Sequence, residues 1–391
     1  MAGGDTIAEM EMRVVTVRFV AVMVLFWAAL YVYIPVLSPL AAERGASLRL
    51  IGIIVGSYGV VLFVSRIPLG IWSDRRNARA AFVRAGFVAS VVGSLGLAYF
   101  DAPLLMIVFR GATGVTAAMW VMLTVLFASH FPVERTAEAM GVAITCSYLS
   151  QTVATLLGGA VAQQWGWEAP FAAAAALSVM GLLLSRGLTE GPFAASDVPT
   201  KEEIIGVVRN PTVLLVSLLA ALALGVQLMT IYGFTPVLAS RHGAGPATLG
   251  VLAFVSTAAL AGSSFVSGKY LSRRVARRSI ILAGFVLLAV FTPLVPVSAS
   301  LLAIGAFQSV AAVGIGLVLT PLTALCLEAV PSRLRATAMA LFQAIYSLGI
   351  FGGPIIAGAA AEAYGLTSAF LAALAFSLLG IAVSILTWRL M

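Results

Sequence analysis

The chain has 391 residues, of which 61% are hydrophobic and only 10% charged, and its mean hydropathy is +1.07. A soluble domain carries about 25% charged residues, so this composition excludes a soluble enzyme or binding module and leaves a polytopic membrane protein. The net charge of +8 is spread over short loops that make a poor phosphate groove, and no nucleic-acid partner is expected.

In chain order, an acidic, polar N-terminus (MAGGDTIAEMEMR) precedes an apolar run too long for a signal-peptide core, which should remain as the first span. Apolar runs of roughly 20 residues suffice to cross about 30 Å of hydrocarbon. They predict twelve spans, over 14–40, 48–72, 80–100, 103–129, 138–163, 168–186, 211–239, 247–271, 279–298, 301–327, 336–361 and 367–389. The longest loop, Gly187 to Asn210, holds Pro, Asp, Lys and Glu and reads as a linker with a short surface helix over Lys201 to Val208. The expected organisation is an all-α membrane protein with a six-helix bundle over 1–187, a linker over 188–210 and a second bundle over 211–391.

An even number of crossings puts both termini on one side. That side holds 18 of the 23 Lys and Arg residues; the other has only Arg44, Arg49 and Arg241, with Arg66 and Arg110 left inside spans. The bias predicts cytoplasmic termini in a cell (inner) membrane. Cys146 and Cys326 lie in separate apolar stretches and read as buried thiols, not metal ligands.

The two halves repeat each other. AGFV at Ala85 recurs at Ala283, and Ser65, Gly70, Arg75, Arg76 and Arg79 recur as Ser263, Gly268, Arg273, Arg274 and Arg277 at the same offset. After one inserted residue the register continues from Pro132/Pro331 through Gly159/Gly358 and Gly166/Gly365 to Gly181/Gly380. Composition bias aligns Ala and Leu by chance but not Gly, Pro, Phe and Arg over so long a stretch. Such a duplication, related by an axis along the membrane normal, is the arrangement of one large class of transporters.

The loop after the second span reads Gly70-Ile-Trp-Ser-Asp74-Arg75-Arg76-Asn-Ala-Arg79. It resembles the signature of the major facilitator superfamily, G-x-x-x-D-R-x-G-R-R, departing at Asn77 and Ala78. Phe109-Arg110-Gly-Ala-Thr-Gly114 is similar to that superfamily's fourth-helix motif, and Glu328-Ala-Val-Pro331-Ser-Arg-Leu-Arg335 to its loop between helices 10 and 11. The resemblance implies a bacterial-type, twelve-helix member with two pseudo-symmetric six-helix bundles, of no assigned subfamily. Its proton-coupled drug antiporters carry a glycine-rich G-P motif on the fifth helix. Here Gly158-Gly159 has no proline, and the similar string Gly349 to Pro354 lies on the eleventh span instead, which argues against antiport of that kind.

Inside the spans acids are missing. All 15 Asp and Glu map to loops or helix ends, as do His130 and His242, whereas proton relays usually need a titratable group near the midplane. Arg66, about two turns from the cytoplasmic end of its span, is expected to snorkel outward or to pair within the loop signature. Arg110 should face the interior, bonding either carbonyls of a broken neighbour near Pro35 or an anionic solute. Pro35 and Pro236, in matching regions of the first and seventh spans, are expected kinks that suit gating. Gln151, Gln227, Gln308 and Gln343 are the remaining candidates to line a cavity.

The expected function is alternating-access transport of a small neutral, amphipathic or anionic organic solute, secondary active and in the efflux direction. A proton-coupled multidrug exporter using a peripheral acid such as Asp74 is the alternative. A coupling proton or ion and a monomeric state are expected, with no cofactor. An intramembrane enzyme lacks its histidines or metal ligands, and a sensor lacks an appended signalling domain. The motif loop, Gly70, Asp74, Arg75 and Arg79, is expected to latch the halves by setting Asp74 near the free amides at the start of the eleventh span, around Arg335 to Thr337. Asp74→Asn should slow transport and weaken the state closed to the cytoplasm without unfolding the protein. Transport assays and spin-label distances in that variant check this, and unchanged turnover with unchanged populations would refute it.

Overall fold

A computed structural model describes residues 2–76, 78–132, 135–191 and 200–387, with side chains except at 2–14, 67, 71, 74, 75 and 137. Asn77 and the side chains of Asp74 and Arg75, and with them the latch, lie outside the described residues. Hydrocarbon offers the backbone no partners, so a spanning segment must satisfy its own N–H and C=O groups. The described residues accordingly fold into helices and contain no strand.

The first crossing is split into α1 (Ala2–Tyr31) and α2 (Ile34–Glu43). Next come α3 (Leu48–Arg76), α4 (Arg79–Tyr99), a fourth crossing made of α5 (Pro103–Ala118) and α6 (Trp120–Ala128), then α7 (Thr136–Trp165) and α8 (Ala169–Ser185). The linker carries α9 (Lys201–Val208), the helix expected there. The seventh crossing is α10 (Pro211–Met229), a π-helical turn over Thr230–Phe234, and α11 (Thr235–Arg241). The rest are α12 (Pro246–Lys269), α13 (Arg277–Phe291), α14 (Leu301–Glu328), α15 (Arg335–Tyr364) and α16 (Thr367–Leu386). Among the described residues eleven crossings are long and apolar enough to span by themselves, and the 17-residue α8 completes twelve.

Local chemistry sets the ends. Proline opens α5, α10 and α12 in the first turn, where its missing N–H is not needed. Asn210 caps α10, its Oδ1 accepting from the amides of Thr212 (3.0 Å) and Val213 (3.2 Å). The duplication is visible in the backbone: Gly45 and Gly243 follow α2 and α11 at φ of 82° and 81°, and Gly166 and Gly365 follow α7 and α15 at 97° and 89°. That left-handed region favours glycine.

Helices α1 to α8 pack largely with one another and α10 to α16 likewise, and two seams join the sets: α3 against α15, and α7 against α12. Both seams are closed by glycine on the side away from the linker, here the far side. A Cβ on Gly159 would stand 2.5 Å from the Gly250 Cα, and one on Gly56 2.7 Å from the Phe351 carbonyl oxygen. On the linker side a Cβ at Gly70, Gly141 or Gly262 would meet nothing within 4 Å. Ser38 of α2 also donates to the Tyr232 carbonyl across the far-side half of the interface, at 3.2 Å.

Charged contacts fasten the ends of the bundle. On the far side, Arg44 pairs with Asp101 at 3.1 Å and donates to the carbonyls of Leu97, Ala98 and Phe100, which close α4. On the linker side, Glu203 caps α9 from within a capping box and pairs with Arg333. The Thr200 amide, then the Arg333 guanidinium, hold the Glu203 carboxyl below its ordinary range.

Because the far-side seam has no room for a β-carbon, Gly159→Val should wedge α7 from α12. Spin-label pairs on the far-side loops of the two halves should then show a longer-distance population than in the wild type. An unchanged distance distribution would show that this contact does not hold the far side shut.

Candidate functional site

The two interrupted crossings meet at the interface. Span 1 breaks into a turn at Val32 and Tyr33, and a Cβ on Gly158 of α7 would overlap the Val32 carbonyl, so the break is buried in protein. Span 7 widens into its π-turn at the same interface, and the rings of Tyr31 and Tyr232 touch edge to face, 5.6 Å between centroids. Neither proline kinks a helix interior as expected. Pro35 and Pro236 both sit in the first turn of the segment that restarts, where no N–H is missed. The prolines inside helices are Pro39, Pro68, Pro321 and Pro354.

On the linker side of these breaks lies a cavity of about 280 Å³ between the halves. It extends toward the linker side as far as Thr323 and Met339, near the ends of α14 and α15. Its walls are aromatic: Trp27, Tyr31 and Trp120 from the first half, Tyr58 and Tyr148 on α3 and α7, and Tyr232, Phe342 and Tyr346 from the second. Gln151, Gln227 and Gln343 line the same space. Gln227 donates to the Tyr232 hydroxyl at 3.3 Å, while the buried Gln343 Oε1 has no hydrogen-bond partner among the described residues.

Gln308 is placed elsewhere. Its amide bridges Thr235 (2.6 Å) and Thr230 (3.2 Å), tying the π-turn of span 7 to α14, and it does not reach the cavity. A membrane-embedded amide must turn inward, but inward here means a packed interface.

Arg110 is 3% exposed and lines the cavity. Its Nη1 donates to the Tyr33 hydroxyl at 2.6 Å and to Thr113 Oγ1 at 3.1 Å, and its guanidinium lies 4.4 Å from the centre of the Tyr58 ring. Tyr33 is itself fixed by stacking on Phe171 at 4.9 Å. Arg110 thus anchors the break in span 1 through a hydroxyl rather than through free carbonyls.

Arg66 departs further from expectation. It is 5% exposed, lines the same cavity and does not snorkel, and its Nε and Nη1 have no hydrogen-bond partner among the described residues. No carboxylate and no histidine is among the residues that line the cavity. The stripe Tyr58-x-x-x-Leu62-x-x-x-Arg66, one helical face at a spacing of four, was the signal that placed Arg66 with the aromatic wall.

The motif residues lie on the linker side, away from the cavity. Gly70 has open space where a Cβ would point. Arg79 pairs with Glu190 at 3.5 Å, and Glu190 also accepts from the Ala80 amide at 3.1 Å. The repeat-related Arg277 pairs with Glu328, holding that carboxyl below its ordinary range.

Removing the Gln308 amide should leave the buried Thr235 hydroxyl without its acceptor, while Thr230 keeps its bond to the Val226 carbonyl. Gln308→Leu should therefore destabilise the protein by about 1–3 kcal/mol with ligand affinity unchanged, whereas Gln343→Leu should preserve stability and alter affinity. Thermal unfolding beside ligand titration checks both, and the reverse pattern would contradict the assignment.

Residues 19–351 match the family model described as Major Facilitator Superfamily, with a second match over 238–390. A relative from Methanocaldococcus jannaschii, an uncharacterised MFS-type transporter, is 22% identical over 358 residues, covering 88% of this chain and 90% of the relative. Among solved structures, a bacterial homologue of the human lysosomal transporter Spinster, inward-facing and occupied, aligns with a TM-score of 0.80 at 19% identity over 97% of both chains. The nucleoside transporter NupG, as a point mutant, aligns at 0.77 and 14% identity, over 96% of this chain and all of that one (100%). These similarities establish the fold, and with the family match spanning most of its length this chain belongs to the major facilitator superfamily.

Proposed function

We propose that the protein is a secondary transporter that exports an amphipathic organic anion by alternating access. The observation that carries this reading is the interface cavity, which combines aromatic walls with two arginines and no acid among its lining residues. Aromatic rings take up an apolar body, and a guanidinium takes a carboxylate or phosphate by two parallel hydrogen bonds. A cation would find no counter-charge there.

The arginine-rich linker side is assigned to the cytoplasm by the positive-inside bias. The conformation, sealed by glycines on the far side, then faces the cytoplasm, in keeping with its likeness to the inward-facing Spinster homologue. The halves would rock about the seams α3–α15 and α7–α12 in a monomer within the cell membrane, driven by a coupled ion or by the solute gradient itself. The absence of a titratable acid on the described cavity wall favours this over the proton-coupled multidrug alternative.

Thermal shift of the purified protein against aromatic monocarboxylates and matched aromatic amines tests the preference, because a ligand that binds the folded state raises apparent stability. The acids should stabilise and the amines should not. Arg110→Lys should keep the fold and weaken acid binding roughly tenfold, losing the planar fork, and Arg110→Gln should abolish the difference between acids and amines. If both variants lose thermal stability while selectivity stays unchanged, Arg110 serves only to hold Tyr33.

A further inference from the structure

Among the described residues Arg66 shows no hydrogen bond and no ion pair. It is 95% buried by its 5% exposure, it lines the cavity, and two of its three nitrogens lack partners among the described residues. Arg110 differs in degree: its Nη1 is held by Tyr33 and Thr113, while its Nε also lacks a partner among the described residues. A buried cation without a counter-ion carries a desolvation cost of several kcal/mol, and the second such residue in one cavity is not needed to bind a single negative group.

The two cations stand at different depths. Tyr58, whose ring lies 4.4 Å from the Arg110 guanidinium, precedes Arg66 by eight residues on α3. At 1.5 Å per residue this sets the Cα atoms of Tyr58 and Arg66 about 12 Å apart along the helix, so the Arg66 side chain leaves α3 nearer the linker side. Leu62 on α3 and Trp120 and Tyr346 face the same space, with Ser147 and Gln151 of α7 the polar groups beside them. At the Arg66 end, Gln343 and Thr323 add side-chain hydrogen-bonding groups to the wall.

We infer that Arg66 and Arg110 are the two poles of one site for an elongated organic dianion, whose acidic ends are separated by an apolar or aromatic middle. The inference rests on the reading of this cavity as an anion-transport site and adds the number and spacing of the substrate's charges. Arg110 holds the deep end beside the break in span 1. Arg66 holds the end nearer the linker side, so a ligand with both ends engaged lies along the axis of transport. Binding is non-covalent throughout, and the two carboxylates offset the two guanidinium charges.

The test uses the full-length purified protein and the quenching of Trp27 and Trp120, which line the cavity. The probes are linear α,ω-dicarboxylates from succinate through dodecanedioate and the monocarboxylates of equal length. In the wild type, affinity should pass through a maximum at one chain length, where the diacid binds at least roughly tenfold more tightly than its monoacid. Arg66→Gln should abolish the diacid's advantage over the monoacid, weakening the diacid by a much larger factor than the monoacid. Arg66→Lys should restore part of the difference, and Arg110→Gln should weaken both probes.

If Arg66→Gln fails to fold, the length series in the wild type and Arg66→Lys still decides. Equal binding of diacid and monoacid at every length, with Arg110 still required, would overturn the dianion site while leaving the anion transporter intact. An Arg66→Gln variant that weakens diacid and monoacid by the same factor would overturn it in favour of a single anion passing both arginines. Failure of all carboxylates to bind the wild type would instead overturn the underlying transport reading.

Discussion

Hydrocarbon cannot hydrogen-bond, and that constraint organises everything else in this molecule. It makes the spans helical, and it also decides where they are allowed to stop being helical. The break at Val32–Tyr33 and the π-turn at Thr230–Phe234 are both fully enclosed, one by α7 and Arg110, the other by Gln308 and its threonines. π-helical turns are rare and recur at functional sites. Here the two irregular stretches meet through Tyr31 and Tyr232 at the closed end of the cavity, so the weakest helical regions form the floor of the site.

Much of this architecture was legible because charge is so informative when it is scarce. The spans follow the charge-poor runs, and α9 falls on the residues expected for it, since Thr200 and Glu203 announce a capping box. The site was less legible. The sequence shows that an amide within a span must avoid lipid, but not whether it will meet a cavity, as Gln343 does, or a pair of threonines, as Gln308 does. Arg66 misled for a geometric reason: α3 continues to Arg76, past the expected end at 72, which puts Arg66 deeper than two turns. The prolines misled because a proline adjacent to a break looks the same in sequence as a proline within a kink. The aromatic wall came from several helices at once, and only folding assembles it.

The halves are related but not equivalent. Arg79 and Arg277 occupy the same place in the repeat and each binds an acid, Glu190 in one case and Glu328 in the other. Arg44 draws together the end of α4 and Asp101, whereas the residue at the repeat position, His242, shows a bond from its ring only to the Leu238 carbonyl one turn back. Separating the far-side loops of the first half therefore breaks charged bonds, while the matching corner of the second half has no such contact among the described residues. One bundle is stiffened at that face and the other is left compliant.

The cavity arginines also have an electrical consequence. Both are attached to spanning helices, so the rocking motion proposed above would carry their charge through part of the membrane field. One elementary charge crossing the whole membrane corresponds to about 2.3 kcal/mol per 100 mV, so two charges traversing a tenth of the field would bias the equilibrium by about 0.5 kcal/mol. An unliganded molecule would feel that bias in full, and the proposed dianionic ligand would cancel it. Voltage would then act on the return of the empty carrier and leave the loaded step almost untouched.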